Sequence, residues 1–427
     1  FKFLNKVEVS EVPVDEHTVD GEVHVKDAWS IEPGIDVKGG GDLYTSSAHL
    51  IEFNLLGYGK KVFAEAVHES DVGTTMNYGY SDYQLFNSRY TADLRYKTGP
   101  LVESLYARVK LPLYSPDSKW SYGFTVQTAD RIRRLFEDGE ESSRYGEDND
   151  HIYGYMKRSY GERYKKLNLT LSLDYNKSDY FTLGSETTVA PPPDRGNVTP
   201  SVSLDKQNIS WKKFTYVNKM GLTEDNWLGL RYGGKLGYGI PVENGFEVWD
   251  TRFSTAYNKT FAKKQLLKTK VGVISEVVRN TIVNVSANYY KKFNRHTVAT
   301  RFLTKVGYDL DSSVQFKLGG NSGLRGYPAR QFTGEKQMLL NLEDRQFWGR
   351  VSIGPEIDLG TVVFVDAGNV WKDEEDVDVN ELNWSTGFGF RLGLTHMPHQ
   401  PIFRIDLGWA LDGSDSFAVT IGHEQQF

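Results

Sequence analysis

From Trp29 onward, apolar and polar residues take turns along the chain. Leu105, Ala107, Val109 and Leu111 alternate with Tyr106, Arg108 and Lys110, and Leu167, Leu169, Leu171 and Leu173 alternate with Asn168, Thr170, Ser172 and Asp174. Val283, Val285, Ala287 and Tyr289 follow the same rule, as do Phe388, Phe390, Leu392 and Leu394, and then Phe403, Ile405, Leu407 and Trp409. Successive side chains of a strand point to opposite faces, so this period of two predicts strands with one apolar face and one bearing charge and glycine. A strand of about 10 residues tilted by about 40° spans roughly 25 Å, the height of a membrane's apolar band. Aromatic residues gather at strand ends (Tyr289-Tyr290, Trp371, Trp384), as an interfacial girdle would. The pattern predicts an all-β fold, a transmembrane antiparallel β-barrel, and yields nearer twenty candidate strands than sixteen.

Residues 1–27 stand apart. KVEVSEVPVD and GEVHVKD read as two short strands about a turn, too few residues to bury a core. The expected division is a lead-in at 1–27 and a barrel at 28–427. Polar stretches at 136–150, 178–206, 310–335 and 371–384 read as long loops. The stretches 55–59, 114–118 and 396–401 read as short turns. Long loops belong outside and short turns in the periplasm. Five strands after the 310–335 loop (336–347, 360–371, 385–396, 402–411 and 417–427) then bring both termini to the periplasmic side.

Composition narrows the function. A net charge of −6 gives no electrostatic footprint for nucleic acid. There is no cysteine, so no disulfide framework and no thiolate chemistry. No apolar run reaches the roughly 18 residues of a membrane helix, while 57 aromatic residues (25 Tyr, 23 Phe, 9 Trp) suit a barrel. There is no P-loop, no zinc-binding helix with paired histidines and no Gly-x-Ser-x-Gly elbow. His396 and His399 lack a third ligand, and the acidic stretches at 136–150 and 371–384 lack the spacing of a calcium loop. The expectation is no enzyme, no metal and no cofactor.

Near residue 320 the alternation gives way to LGGNSGLRGYPAR. Glycines at 319, 320, 323 and 326 surround Arg325, a permanent charge with five donors. On composition alone this is a glycine-rich loop with a solvated arginine. The stretch resembles the sixth extracellular loop of the BamA/TamA-like outer-membrane assembly and translocation barrels. Gly319-Gly320 and Arg325-Gly326-Tyr327 match that family's motif. The resemblance implies sixteen strands, the number expected here with up to twenty by pattern count, and a loop folded into the lumen. It implies that Arg325 pairs with Glu343 and Asp366 on the inner wall. Alternation permits this pairing. Leu340 and Leu342 share one face, Leu339, Asn341, Glu343 and Arg345 the other, and Asp366 falls with Val362, Phe364 and Gly368.

Further expectations come from the same resemblance. Residues 1–27 resemble the end of a POTRA module, and Ala418 to Phe427 a final strand with Gly422 and Phe427 as assembly signal, although Gln425 replaces a second aromatic. The first and last strands (about 28–39 and 417–427) would pair weakly as a lateral gate. Gly34, Gly39, Gly40, Gly41 and Gly422 weaken strand pairing in principle. The function implied is insertion or translocation of proteins in a Gram-negative outer membrane. The partners implied are the bilayer with its lipopolysaccharide, unfolded outer-membrane or secreted clients, and accessory subunits. A passive or ligand-specific pore, or a scaffold for a partner complex, remains the alternative.

Overall fold

The computed structural model describes residues 4–427 apart from 16–17, 28–29, 263, 278, 312, 353–355, 395–401 and 414–415. Twenty strands close into one barrel, and every neighbouring pair in it is antiparallel. The pattern count, rather than the sixteen implied by resemblance, gives the strand number. The first six, from Ile31 to Leu111, are 9 or 10 residues each. Among the described residues no helix is long and apolar enough to cross a membrane. The alternation maps onto the wall as expected: Leu171, Leu173, Val202, Leu204, Phe388, Phe390, Leu392 and Ile405 are all exposed on the outside. Such a continuous apolar surface is stable only against lipid.

Leu4–Pro13 and Val19–Asp27 form a two-stranded sheet that pairs only with itself, with Val9 and Val23 exposed. Strand alternation then puts residues 53–59 and 112–119 at the end of the barrel where the chain enters. Residues 41–42, 138–139, 183–194, 309–335 and 372–382 lie at the opposite end. The 396–401 turn, with His396 and His399, lies outside the described residues.

Three elements differ from expectation. The 178–206 stretch is mostly wall: Lys165–Thr182 and Arg195–Thr215 leave 183–194 as the connection, the polar residues on either side standing in strand pairs. The 136–150 stretch is not a long loop. Trp120–Glu137 and Glu140–Glu162 run straight through it and join at the two-residue turn Asp138-Gly139, both with positive φ (49° and 87°). That is the turn whose twist matches a tight hairpin. Beyond the bilayer a strand needs no apolar face, and here the charges pair across the ladder, Arg133 with Glu147 and Arg134 with Glu141. The last strand is Phe417–His423 and does not run to Phe427. Glu424 takes φ 64°, its N–H bonds Ile402 O, and residues 425–427 turn into the lumen.

Candidate functional site

The loop 309–335 enters the barrel mouth through a short hairpin, Phe316–Leu318 with Phe332–Gly334. Phe316, Leu318, Leu324 and Tyr327 pack with Leu339 and Val370 of the wall in one apolar cluster. This burial seats the loop and brings Arg325 to the wall with no solvent exposure.

Strands Lys336–Ser352, Glu356–Trp371 and Ile402–Ala410 each turn a carboxylate inward to meet it. Arg325 Nε and Nη2 donate to the two oxygens of Asp366 at 2.7 and 2.8 Å, a bidentate fork. Its Nη1 donates to Glu343 at 2.7 Å and to Asp406 at 3.1 Å. The guanidinium lies 3.5 Å from the centre of the Phe364 ring. Asn341 donates to Asp366 Oδ1 and to Gly323 O, tying the loop backbone to the same carboxylate.

Backbone approach explains two glycines. Gly326 has φ 91°, and a Cβ there would lie 3.0 Å from the Trp409 backbone. A Cβ on Gly408 would lie 2.7 Å from Gly326 N. Loop and strand touch main chain to main chain. Tyr327 donates to Trp384 O at 3.0 Å. Gly319 and Gly320 face residues 328–330 and the Gly40-Gly41 turn, where Ala329 N donates to Asp42. The loop therefore contacts both the first barrel hairpin and the last strands.

The sequence reading nominated Glu343 and Asp366 but missed Asp406. It also missed Arg345, which donates to Glu343 at 2.8 Å, and Arg391, which donates to Asp406. Arg301 joins through Asn341 at 2.8 Å, and Arg404 reaches Asp406 at 3.2 Å. Four guanidinium groups (325, 345, 391, 404) thus meet three carboxylates (343, 366, 406), with that of Arg301 attached through Asn341. The missed signal was present: Asp406 and Arg404 occupy the charge-bearing face of their strand.

A second anchor holds the loop at the barrel end opposite the chain's entry. Gln315 bonds both Phe136 N and Phe136 O at 3.0 Å, continuing that strand as a backbone would. Asp71 accepts from Arg134 and Arg330 at 2.7 Å each. At the other end of the barrel, Arg345 donates to Val217 O and Phe427 O, so residues 216–222 and the final residues close the lumen floor. Gly422 makes room for Arg404, whose Nε would lie 2.9 Å from a Cβ there.

The closing seam is sparse. Phe417–His423 and Ile31–Gly40 share one ladder position, Ile421 with Gly39. The next shortest ladders of the barrel, among the described residues, have seven. His423 Nε2 lies 2.7 Å from the Asp36 carboxylate across the gap.

Residues 261–424 match the Omp85 superfamily domain. No curated protein sequence matches the chain. Among solved structures it is similar to BamA from Haemophilus ducreyi lacking POTRA domains 1–3, at 13% identity and TM-score 0.47, over 99% of this chain and 76% of that one. CdiB from Escherichia coli gives 14% identity and TM-score 0.48, over 99% and 68%. CdiB from Acinetobacter baumannii gives 12% and 0.47, over 99% and 66%. Likeness this distant carries no functional weight.

Proposed function

We propose that this chain, whose residues 261–424 match the Omp85 superfamily domain, is a BamA/TamA-like outer-membrane barrel that promotes insertion or translocation of other polypeptides through the seam between its first and last strands. The single-position ladder at Ile421 and Gly39 carries this reading. A strand edge with unmade backbone hydrogen bonds is a template for an incoming strand. The work is physical: the edge lends hydrogen bonds to a client while the client's own strands form. Arg325 keeps the loop fixed across the outer end of the seam, so that the barrel loosens along its side without losing its plug. Both termini face the periplasm, where clients arrive.

A polar lumen cavity of about 440 Å³, lined by Arg131, Glu147, His151, Asp174 and Arg195 among others, favours a second reading, a pore for small polar solutes. One experiment separates the two. The folding rate of an unfolded barrel client is measured in liposomes containing the wild type, Arg325→Ala or no protein. Acceleration by the wild type that Arg325→Ala loses supports the proposal. Equal rates in all three, with solute flux through the wild type, support the pore.

A further inference from the structure

We propose that the lumen floor near the chain termini is a binding site for a polypeptide segment carrying an aromatic side chain beside a carboxylate. A cavity of about 390 Å³ opens there, within the roughly 300–1,000 Å³ of small-ligand sites. Its base is apolar: Phe214, Val217, Leu266 and Tyr290, all buried. Its rim is basic: Lys213, Lys264 and Lys292. Lys292 donates to Thr215 Oγ1 and stands 4.1 Å from the Tyr216 ring centre, and none of the three lysines has an ion pair among the described residues. Glu224, next in sequence to the lining residue Thr223, makes no ion pair with them among the described residues. Its carboxylate accepts the backbone N–H groups of Val217, Asn218 and Lys219 at 2.9 Å each.

A second observation is independent of charge. Thr297 lines the same cavity at 1% exposure, and its hydroxyl has no hydrogen-bond partner. A buried hydroxyl left unpaired costs free energy that a polar ligand atom recovers. The structure also displays how an aromatic group sits here. Phe427 packs on the same apolar cluster, its ring 4.9 Å from the Arg345 guanidinium and 5.2 Å from that of Arg301. Its carbonyl accepts from Arg345 at 2.9 Å.

An apolar base, a cationic rim and a buried hydroxyl match a ring, a carboxylate and a peptide group together. A bilayer lipid fits poorly, because the cavity faces the lumen and the buried hydroxyl finds no partner on an acyl chain. That the segment belongs to a client rests on the proposed handling of polypeptides; the site rests on the cavity.

The test uses the full chain in detergent micelles and a fluorescein-labelled, end-capped hexapeptide with adjacent Phe and Asp. Anisotropy should show saturable binding. Replacing the peptide's Asp by Asn or its Phe by Ala should weaken it about tenfold each, as should Lys264→Gln with Lys292→Gln. Added salt should weaken it further. Equal affinity for the three peptides overturns the proposal without reference to any variant's folding. So does displacement of nothing but dodecyl phosphate, which would assign the site to lipid. Client insertion is followed on the same preparations. Acceleration without peptide binding removes the site and spares the assembly reading. Peptide binding without acceleration supports the site and removes the assembly reading.

Discussion

The two stretches of wall that meet at the seam are built differently. Before it, the four strands from Lys336 to Ala410 turn Glu343, Arg345, Asp366, Arg391 and Asp406 inward, each 1% exposed or less, all bound to one another or to Arg325. After it, six short strands carry simpler pairs whose cations are partly exposed, Arg108 with Asp93 and Lys60 with Asp82. One wall is fastened to the plug by a network in which removal of any member strands a buried charge. The other meets the plug at its turns, where Asp42 accepts from Ala329 N and Asp71 from Arg330, and is otherwise held by its backbone ladder and by separate pairs. A lateral opening that moved the early strands would break the Asp42 and Asp71 contacts and leave the plug on the buried network of the late strands.

Substitutions sharpen this contrast. Arg325→Ala leaves three carboxylates facing the remaining guanidiniums without their centre and should cost about 3–5 kcal/mol. The readout is a fall in the urea midpoint and loss of the compact, heat-sensitive band on gels. Asp366→Asn removes one side of the fork while keeping its shape. A loss of about 2–3 kcal/mol is expected, measured by the same unfolding curves. Gly326→Ala places a Cβ at φ 91° against the Trp409 backbone, with an expected cost of about 1–2 kcal/mol. Protease cleavage of the 309–335 loop should rise with it. Asp93→Asn in the early wall should cost no more than about 1 kcal/mol. If Asp93→Asn proved as damaging as Asp366→Asn, the contrast between the walls would fail.

A further effect concerns pH. Burial, helped by the charges of Arg330 and Arg134, lowers the Lys317 ammonium in the loop to about 8 from an ordinary 10.5. Between those values the unfolded chain holds the proton and the folded loop does not, so stability rises with pH across that window. Loop proteolysis should slow between pH 7.5 and 10 by about that one titration, and Lys317→Met should abolish the dependence.

Much of this architecture was legible from alternation. Period two located the strands, and the parity of Glu343 and Asp366 put both on the lumen face. Charge content misled at 136–150, because strands beyond the membrane are held by cross-strand ion pairs and need no apolar residue. Asp406 has the right parity, but nothing local tells that a strand two places from Asp366 will share one guanidinium with it. The floor at 216–222 was invisible for a similar reason. It depends on the Glu224 carboxylate gathering three backbone N–H groups and on Arg345 reaching from a distant strand. The seam's weakness is a matter of register, which glycine content alone does not specify.

The central claim is that clients use the seam. The chain has no cysteine, so Gly39→Cys with Ile421→Cys introduces a single possible disulfide at the one paired position, where facing strand residues lie within bridging distance. The rate of client folding into liposomes is measured with this variant oxidised and then reduced. The account expects acceleration to vanish when the bridge is closed and to return on reduction. Equal acceleration in both states would contradict it.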